Sequence, residues 1–213
     1  MPDQILTQEE IDALLTAMDK GEVDLVEENM KKAEAVSYSL TTQNIILRDQ
    51  FYALEEVYYK FVNLLNQMLS STLQRSIQAE FISAEMTSYQ EFMQDFSSPT
   101  CFQVFSMQPL HGSALLVIEP GLFYSLIDCM FGGDGRPVNG ARAFTMIEQR
   151  MINKLTHEIL QKLEEAWATV YRLRLSLTKT EIKPEFVHLL APDDSMLDIV
   201  FSIKGEEFSG NMH

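Results

Sequence analysis

Apolar residues recur along this chain with two different periods, and the switches between them mark out its elements. Near the N-terminus Ile11, Leu14, Leu15 and Met18 fall at i, i+3, i+4 and i+7, one stripe of a helix. Thr7 is placed to cap that helix with Glu10 three residues on, and Leu6 can staple onto Ile11. Lys20 and Gly21 suit its C-terminal end. Residues 21–43 lose the period, turn polar and acid-rich, and read as a flexible linker. From Ile45 the helical period returns. Leu47, Phe51, Leu54, Tyr58, Phe61, Leu65 and Met68 step by four and three, and Leu73 and Ile77 extend the face. Val57, Leu64 and Leu69 widen the stripe beyond a coiled-coil seam, so the spacing predicts a helix packed on a sheet.

Shorter runs follow. Residues 80–86 read as a strand, and 89–96 as a short helix or loop closed by Ser97-Ser98-Pro99. Residues 100–107 and 113–118 are strands joined across Pro109-Leu110-His111-Gly112. Pro120-Gly121 opens an apolar helix that runs into Phe131-Gly132-Gly133-Asp134-Gly135-Arg136-Pro137. Three glycines in four residues, then Arg and Pro, stop helix and strand alike. Thr145 with Glu148 makes a second capping box, and Ile152, Leu155, Ile159, Leu163 and Val170 stripe a helix running to about Val170. Strands are predicted over 172–182, 185–190 and 196–204, the last two turned by Pro192-Asp193-Asp194. The order is long helix, strands, helix, glycine loop, long helix, strands. It predicts two similar halves packing helices on a largely antiparallel sheet, an α+β domain over residues 44–213.

Charge narrows the partners. The net charge of −15 over 213 residues repels phosphate, which excludes nucleic acid and anionic membrane and suits a basic protein. Residues 1–43 hold ten acids against three Lys, so nearly half the charge sits in a fifth of the chain. The N-terminal helix therefore reads as a tethered ligand for a basic-rimmed groove, with packing on its own body as the alternative. Four apolar side chains give roughly 6–12 kcal/mol gross. Ordering the segment consumes much of that and leaves weak, fast-exchanging binding. Two cysteines without ligand spacing, no signal peptide and no run of membrane-spanning length read as a cytosolic chain.

Reactive chemistry is sparse. His111, His157, His188 and His213 are scattered, so neither metal nor cofactor is expected. The glycine loop lacks the Lys-Ser/Thr of a phosphate-binding loop. Against a diguanylate cyclase signature, Gly135-Arg136 stands where Glu-Phe is required. Two readings of the loop remain: a surface turn between helices, or a close-contact patch whose backbone is uncovered and whose Arg136 offers a forked charged donor.

Two stretches carry a family resemblance. Ile5-Leu6-Thr7-Gln8-Glu9-Glu10-Ile11-Asp12-Ala13-Leu14-Leu15 resembles the N-terminal motif of the flagellar motor switch protein FliM family. Met86-Thr87-Ser88-Tyr89-Gln90-Glu91-Phe92, Ser98-Pro99-Thr100 and the 131–136 loop resemble the middle domain of that family. The resemblance implies a CheC/CheX-like pseudo-two-fold α/β/α-type domain preceded by a flexible arm. It implies that residues 1–20 bind phosphorylated CheY through Ile5, Leu6, Ile11, Asp12, Leu14 and Leu15. It implies that Phe131, Gly132, Gly133, Asp134, Gly135 and Arg136 contact FliG. Neighbouring FliM subunits are further expected partners, at the cytoplasmic face of the inner membrane in the flagellar basal body. FliN is expected only through a C-terminal domain that this chain lacks. The chain is thus read as truncated near Ser209–His213, about where a final strand of the sheet should start, leaving that sheet edge weak.

The related CheC-type phosphatases raise an enzymatic alternative. They place Glu and Asn three residues apart on a long helix, where this chain has Glu148 and Met151, with Asn153 about 140° round the helix from Glu148. The expectation is a non-enzymatic protein. A generic signalling adaptor is the third reading.

Overall fold

The computed structural model describes residues 44–136 and 142–213, the side chains of 44–53 excepted. The expected N-terminal helix, the linker and all six candidate residues of the arm lie outside the described residues.

Helix α1 (Asn44–Leu73) buries Val57, Tyr58, Phe61, Val62, Leu65, Met68, Leu69 and Leu73, the broad stripe its period predicts. It ends where Gln74 adopts a left-handed backbone at φ 51°. Strand β1 (Gln78–Ser88) leads into the short helix α2 (Tyr89–Gln94), whose cap is the Ser88 hydroxyl accepting from the Glu91 N–H at 3.2 Å. Strands β2 (Cys101–Gln108) and β3 (Ser113–Ile118) form the expected hairpin. Helix α3 (Pro120–Met130) precedes the glycine loop, and helix α4 (Met146–Trp167) follows it. Strands β4 (Arg174–Glu181), β5 (Ser195–Lys204) and β6 (Ser209–Met212) complete the chain.

All pairings are antiparallel, in the order β1-β5-β6-β3-β2-β4. That order is symmetric. Exchanging β1, β2 and β3 for β4, β5 and β6 maps the sheet onto itself, with α1 preceding the first trio and α4 the second. The two halves expected from element order are therefore present. Helices α1, α3 and α4 cover one face, over a core containing Phe61, Leu65, Phe123, Leu126, Leu155 and Ile159. The other face carries a smaller cluster of Phe92, Phe102, Val117 and Val187, closed by α2 and the segment after β4. Strand β2 lies between the layers and is buried on both sides from Cys101 to Phe105.

Three expectations are corrected. The strand predicted over 185–190 is a 3₁₀ turn at Pro184–Phe186 followed by irregular chain. There the Val187 carbonyl accepts from the Tyr89 hydroxyl at 2.6 Å instead of joining a ladder, while its side chain fills the second core. Helix α4 stops at Trp167, so Val170 is 56% exposed rather than part of the buried stripe. Turn bonds from Val170 and Tyr171 N–H to the Trp167 carbonyl, with Thr169 Oγ1 on the Ala166 carbonyl, divert the chain there. Finally, Ser209–Met212 forms no sheet edge. Strand β6 is internal, between β5 and β3, and β1 and β4 are the edges. The end of β6 is clamped by Glu119, which accepts from Asn211 N and Nδ2, and by His213, whose Nδ1 lies 3.2 Å from Asp198.

Candidate functional site: the glycine loop

The loop begins as a helix stop. At the end of α3, Gly132 takes φ +89°, its N–H bonds to the Cys129 carbonyl at 2.9 Å, and the Gly133 N–H bonds to the Asp128 carbonyl at 2.8 Å. These two bonds are a Schellman motif, and they satisfy carbonyls that an abrupt helix end would leave bare. Asp128 then acts a second time: its Oδ2 accepts from the Gly135 N–H at 2.8 Å. One acidic residue thus holds the loop at both ends.

Glycine is required for different reasons at the three positions. A Cβ on Gly133 would lie 2.2 Å from Asp128 Oδ2. A Cβ on Gly135 would lie 2.6 Å from the Phe208 ring and 2.7 Å from Cys129 Sγ, and Gly135 is also left-handed at φ +74°. A Cβ on Gly132 would meet nothing within 4 Å. Backbone open to an outside surface is therefore found at Gly132, while Gly133 and Gly135 serve close packing within the protein. Gly133→Val would accordingly disturb the loop from inside, and positions 131 and 132 are cleaner probes of its outer face.

The outer face is mixed. Phe131 is 61% exposed at the turn, and Gly132, Asp134 and Arg136 are exposed beside it. Asp134 Oδ1 accepts from Arg75 Nη2 at 3.1 Å, just past the end of α1. Arg136 Nε lies 3.7 Å from Glu207 Oε2, on the turn between β5 and β6. The neighbouring Phe208 is buried beneath Gly135, with its carbonyl taking the Gly205 N–H at 2.9 Å. The loop therefore rests on three supports: its own helix, the end of α1, and the β5–β6 turn. Residues 131–136 were all expected at this site from the sequence. Arg75, Asp128, Glu207 and Phe208 were not, although Asp128 carries a signal as the one acid within an otherwise apolar helical run.

Other reactive groups do not converge here. Glu148 is buried at the start of α4, where its carboxylate accepts from Thr145 N at 2.7 Å and pairs with Arg142, itself stacked 4.8 Å over the Tyr124 ring. The Arg142 guanidinium, ahead of the Thr145 bonds, holds the Glu148 carboxyl down at about 2 against the cost of burial. Asn153 points elsewhere, its Oδ1 accepting from Gln103 Nε2 and Thr180 Oγ1, each at 3.0 Å. Glu148 and Asn153 thus belong to separate networks, and Met151 packs against the core. Cys101 and Cys129 are free and buried, and burial pushes the Cys101 thiol up to about 12. Among the described residues, no three His, Cys, Asp or Glu side chains gather to hold a metal, and no helix is long and apolar enough to cross a membrane. An apolar cleft of about 330 Å³ between β3 and β5, lined by Ala114, Leu116, Met196 and Ile199, also meets Asp198, His213 and the phenols of Tyr58 and Tyr89.

Comparison with known proteins points the same way. The sequence model of the family described as flagellar motor switch protein FliM matches residues 47–213. Flagellar motor switch protein FliM of Bacillus subtilis is 28% identical over 214 residues, covering 99% of this chain and 64% of the relative. The chain thus spans a little under two thirds of that relative's length. Among solved structures, the FliG–FliM complex of H. pylori aligns with a TM-score of 0.74 at 26% identity, over 78% of this chain and 91% of that one. The FliM middle domain (51–229) of Vibrio alginolyticus aligns at 0.69 and 24%, over 76% and 90%, and shows the same fold.

Proposed function

Because the chain belongs to the FliM family of flagellar motor switch proteins, we propose that it is a non-enzymatic subunit of the motor switch, taking a signal at its N-terminal arm and passing it to FliG through the loop at 131–136. The observation that carries the FliG contact is the construction of that loop. Asp128 and Phe208 fix it from within, so that Phe131 and the open backbone at Gly132 are offered outward. A preorganised tip with an exposed aromatic is what a protein interface uses as an anchor. The solved FliG–FliM complex of H. pylori, similar to this chain, supports FliG as the partner.

The arm supplies the input. Ile5, Leu6, Ile11, Asp12, Leu14 and Leu15 bind phosphorylated CheY weakly, and the 21–43 linker raises the captured regulator's effective concentration near the body. Neighbouring copies of the chain build the ring, at the cytoplasmic face of the inner membrane. Phosphatase action is not part of this reading, since Glu148 is engaged by Arg142 and Thr145.

Affinity of the purified chain for purified FliG tests the output. Truncating a buried interface aromatic costs about 2 kcal/mol or more, roughly thirtyfold in affinity. Phe131→Ala should therefore weaken binding by that order with its melting temperature unchanged. Wild-type affinity in a folded Phe131→Ala protein would remove the loop from the interface.

A further inference from the structure

We infer that Arg75 is the positioning residue of the glycine loop, holding Asp134 beside the helix-anchored Phe131–Gly132 turn in the arrangement that a partner engages. The inference rests on the reading that this loop contacts FliG.

Arg75 sits at a deliberate bend. Gln74 turns left-handed at φ 51°, the one non-glycine residue with positive φ among the described residues, and ends α1 before the chain enters β1. The Arg75 side chain is 32% exposed, so most of it lies against the body, while its Asp134 partner is 61% exposed. Fifty-nine residues separate the two in sequence, and the contact joins the end of α1 to the loop at 3.1 Å. The second ionic support, Arg136 to Glu207, is longer at 3.7 Å and more exposed on its arginine side. Arg75 is thus the firmer of the two charged props.

Its placement gives the contact a direction. Helix α1 is the first element of the body after residues 1–43, and thirty helical residues span about 45 Å. The end of that rod is tied to the loop by a pair exposed enough to break. An exposed pair of this kind is worth about 1.5- to 5-fold in an equilibrium constant. It is too weak to hold the fold together, yet strong enough to bias where a short loop rests. The α3 carbonyls, Asp128 and Phe208 keep residues 131–133 and 135 in place, while the Arg75 contact holds Asp134 between them.

The test is a double-mutant cycle on FliG affinity at low salt, with wild type, Arg75→Ala, Asp134→Ala and the double variant. Arg75→Ala should bind roughly 1.5- to 5-fold more weakly at an unchanged melting temperature, and the double variant should bind no worse than Asp134→Ala. The exchanged pair Arg75→Asp with Asp134→Arg should recover affinity lost by either reversal alone, and the Arg75→Ala defect should shrink in high salt. Amide hydrogen exchange at Gly135, next to Asp134, should rise in Arg75→Ala, a readout that a purely global effect would not confine to the loop. Unchanged affinity in Arg75→Ala, or losses that simply add, would overturn the inference. Phe131→Ala separates the two readings. If it weakens binding while Arg75→Ala does not, the positioning role alone fails; if it binds as wild type, the FliG contact itself fails.

Discussion

Asp128 and Gly133 should be energetically inseparable. The Asp128 carboxylate is held in place by the buried Gly135 N–H at 2.8 Å. Asp128→Ala removes that acceptor and strands the donor, at a cost of about 1–3 kcal/mol. For a folded body of this size each kcal/mol lowers the melting temperature by roughly 2–4 °C. The variant should therefore melt roughly 2–12 °C lower. Gly133→Ala acts on the same bond from the other side. Gly133 has no left-handed backbone to forbid alanine, but the new Cβ would lie 2.2 Å from Oδ2 and 2.4 Å from Cγ of Asp128. The carboxylate must swing away, and in swinging it releases Gly135. Each single change thus forfeits one and the same hydrogen bond. The double variant should cost about as much as either single one, leaving a coupling of roughly 1–3 kcal/mol. Urea unfolding of the four proteins measures it, with hydrogen exchange at Gly135 as the local reporter. Additive losses would show that Gly133 is glycine for some reason other than Asp128, and the internal account of the loop would fall with them.

Two further outcomes are expected. A peptide spanning residues 1–21 should bind CheY in the micromolar range and more tightly with beryllofluoride as phosphoryl mimic, and Leu14→Ala or Leu15→Ala should abolish binding; by titration, an affinity indifferent to the mimic would leave a constitutive scaffold. Around β6, burial works against the charge on His213, but Asp198 and Glu119 outweigh it and raise the imidazole to about 9 from its ordinary 6.5. Since the folded value is the higher one, this stabilisation is complete below about pH 6.5 and fades as pH rises through about 9. The melting temperature of the wild type should thus fall towards that of His213→Asn between pH 6 and 10, and a constant gap would refute the clamp.

The helical elements were legible because period and caps agreed. The α4 box at Thr145 and Glu148 forms as spaced, and Val57, Tyr58, Phe61, Leu65, Met68, Leu69 and Leu73 of the α1 stripe are buried. The segment after β4 misled for a physical reason. Val187 and Leu189 are apolar because they roof the second core, and alternation cannot distinguish a roof from a strand. The loop was visible as a glycine cluster, but its supports were not. Arg75 lies in one turn and Glu207 and Phe208 in another, and only the fold brings them to residues 134–136. Pattern can announce that glycine is needed without saying against what. Asp128 and Phe208 supply that answer for two of the three.

The site owes its position to the symmetry of the fold and its character to a departure from it. Helix α3 and the loop form the crossing from the first α–β–β–β half to the second. Strung between the halves, the loop is anchored to both. Arg75 belongs to the first, just past α1, while Glu207 and Phe208 belong to the second, between β5 and β6. These anchors differ in kind. Phe208 is buried under Gly135 and cannot be withdrawn without opening core, whereas the two ion pairs are exposed and each worth at most about 1 kcal/mol. The loop is thus pinned firmly by α3 and Phe208 and more weakly by the two exposed ion pairs at Asp134 and Arg136. A shift of α1 relative to β5 and β6 would then be registered at Asp134 and Arg136 before any buried contact breaks. For that reason, variants of the ionic props should change affinity, and variants of Asp128 or Phe208 should change stability first.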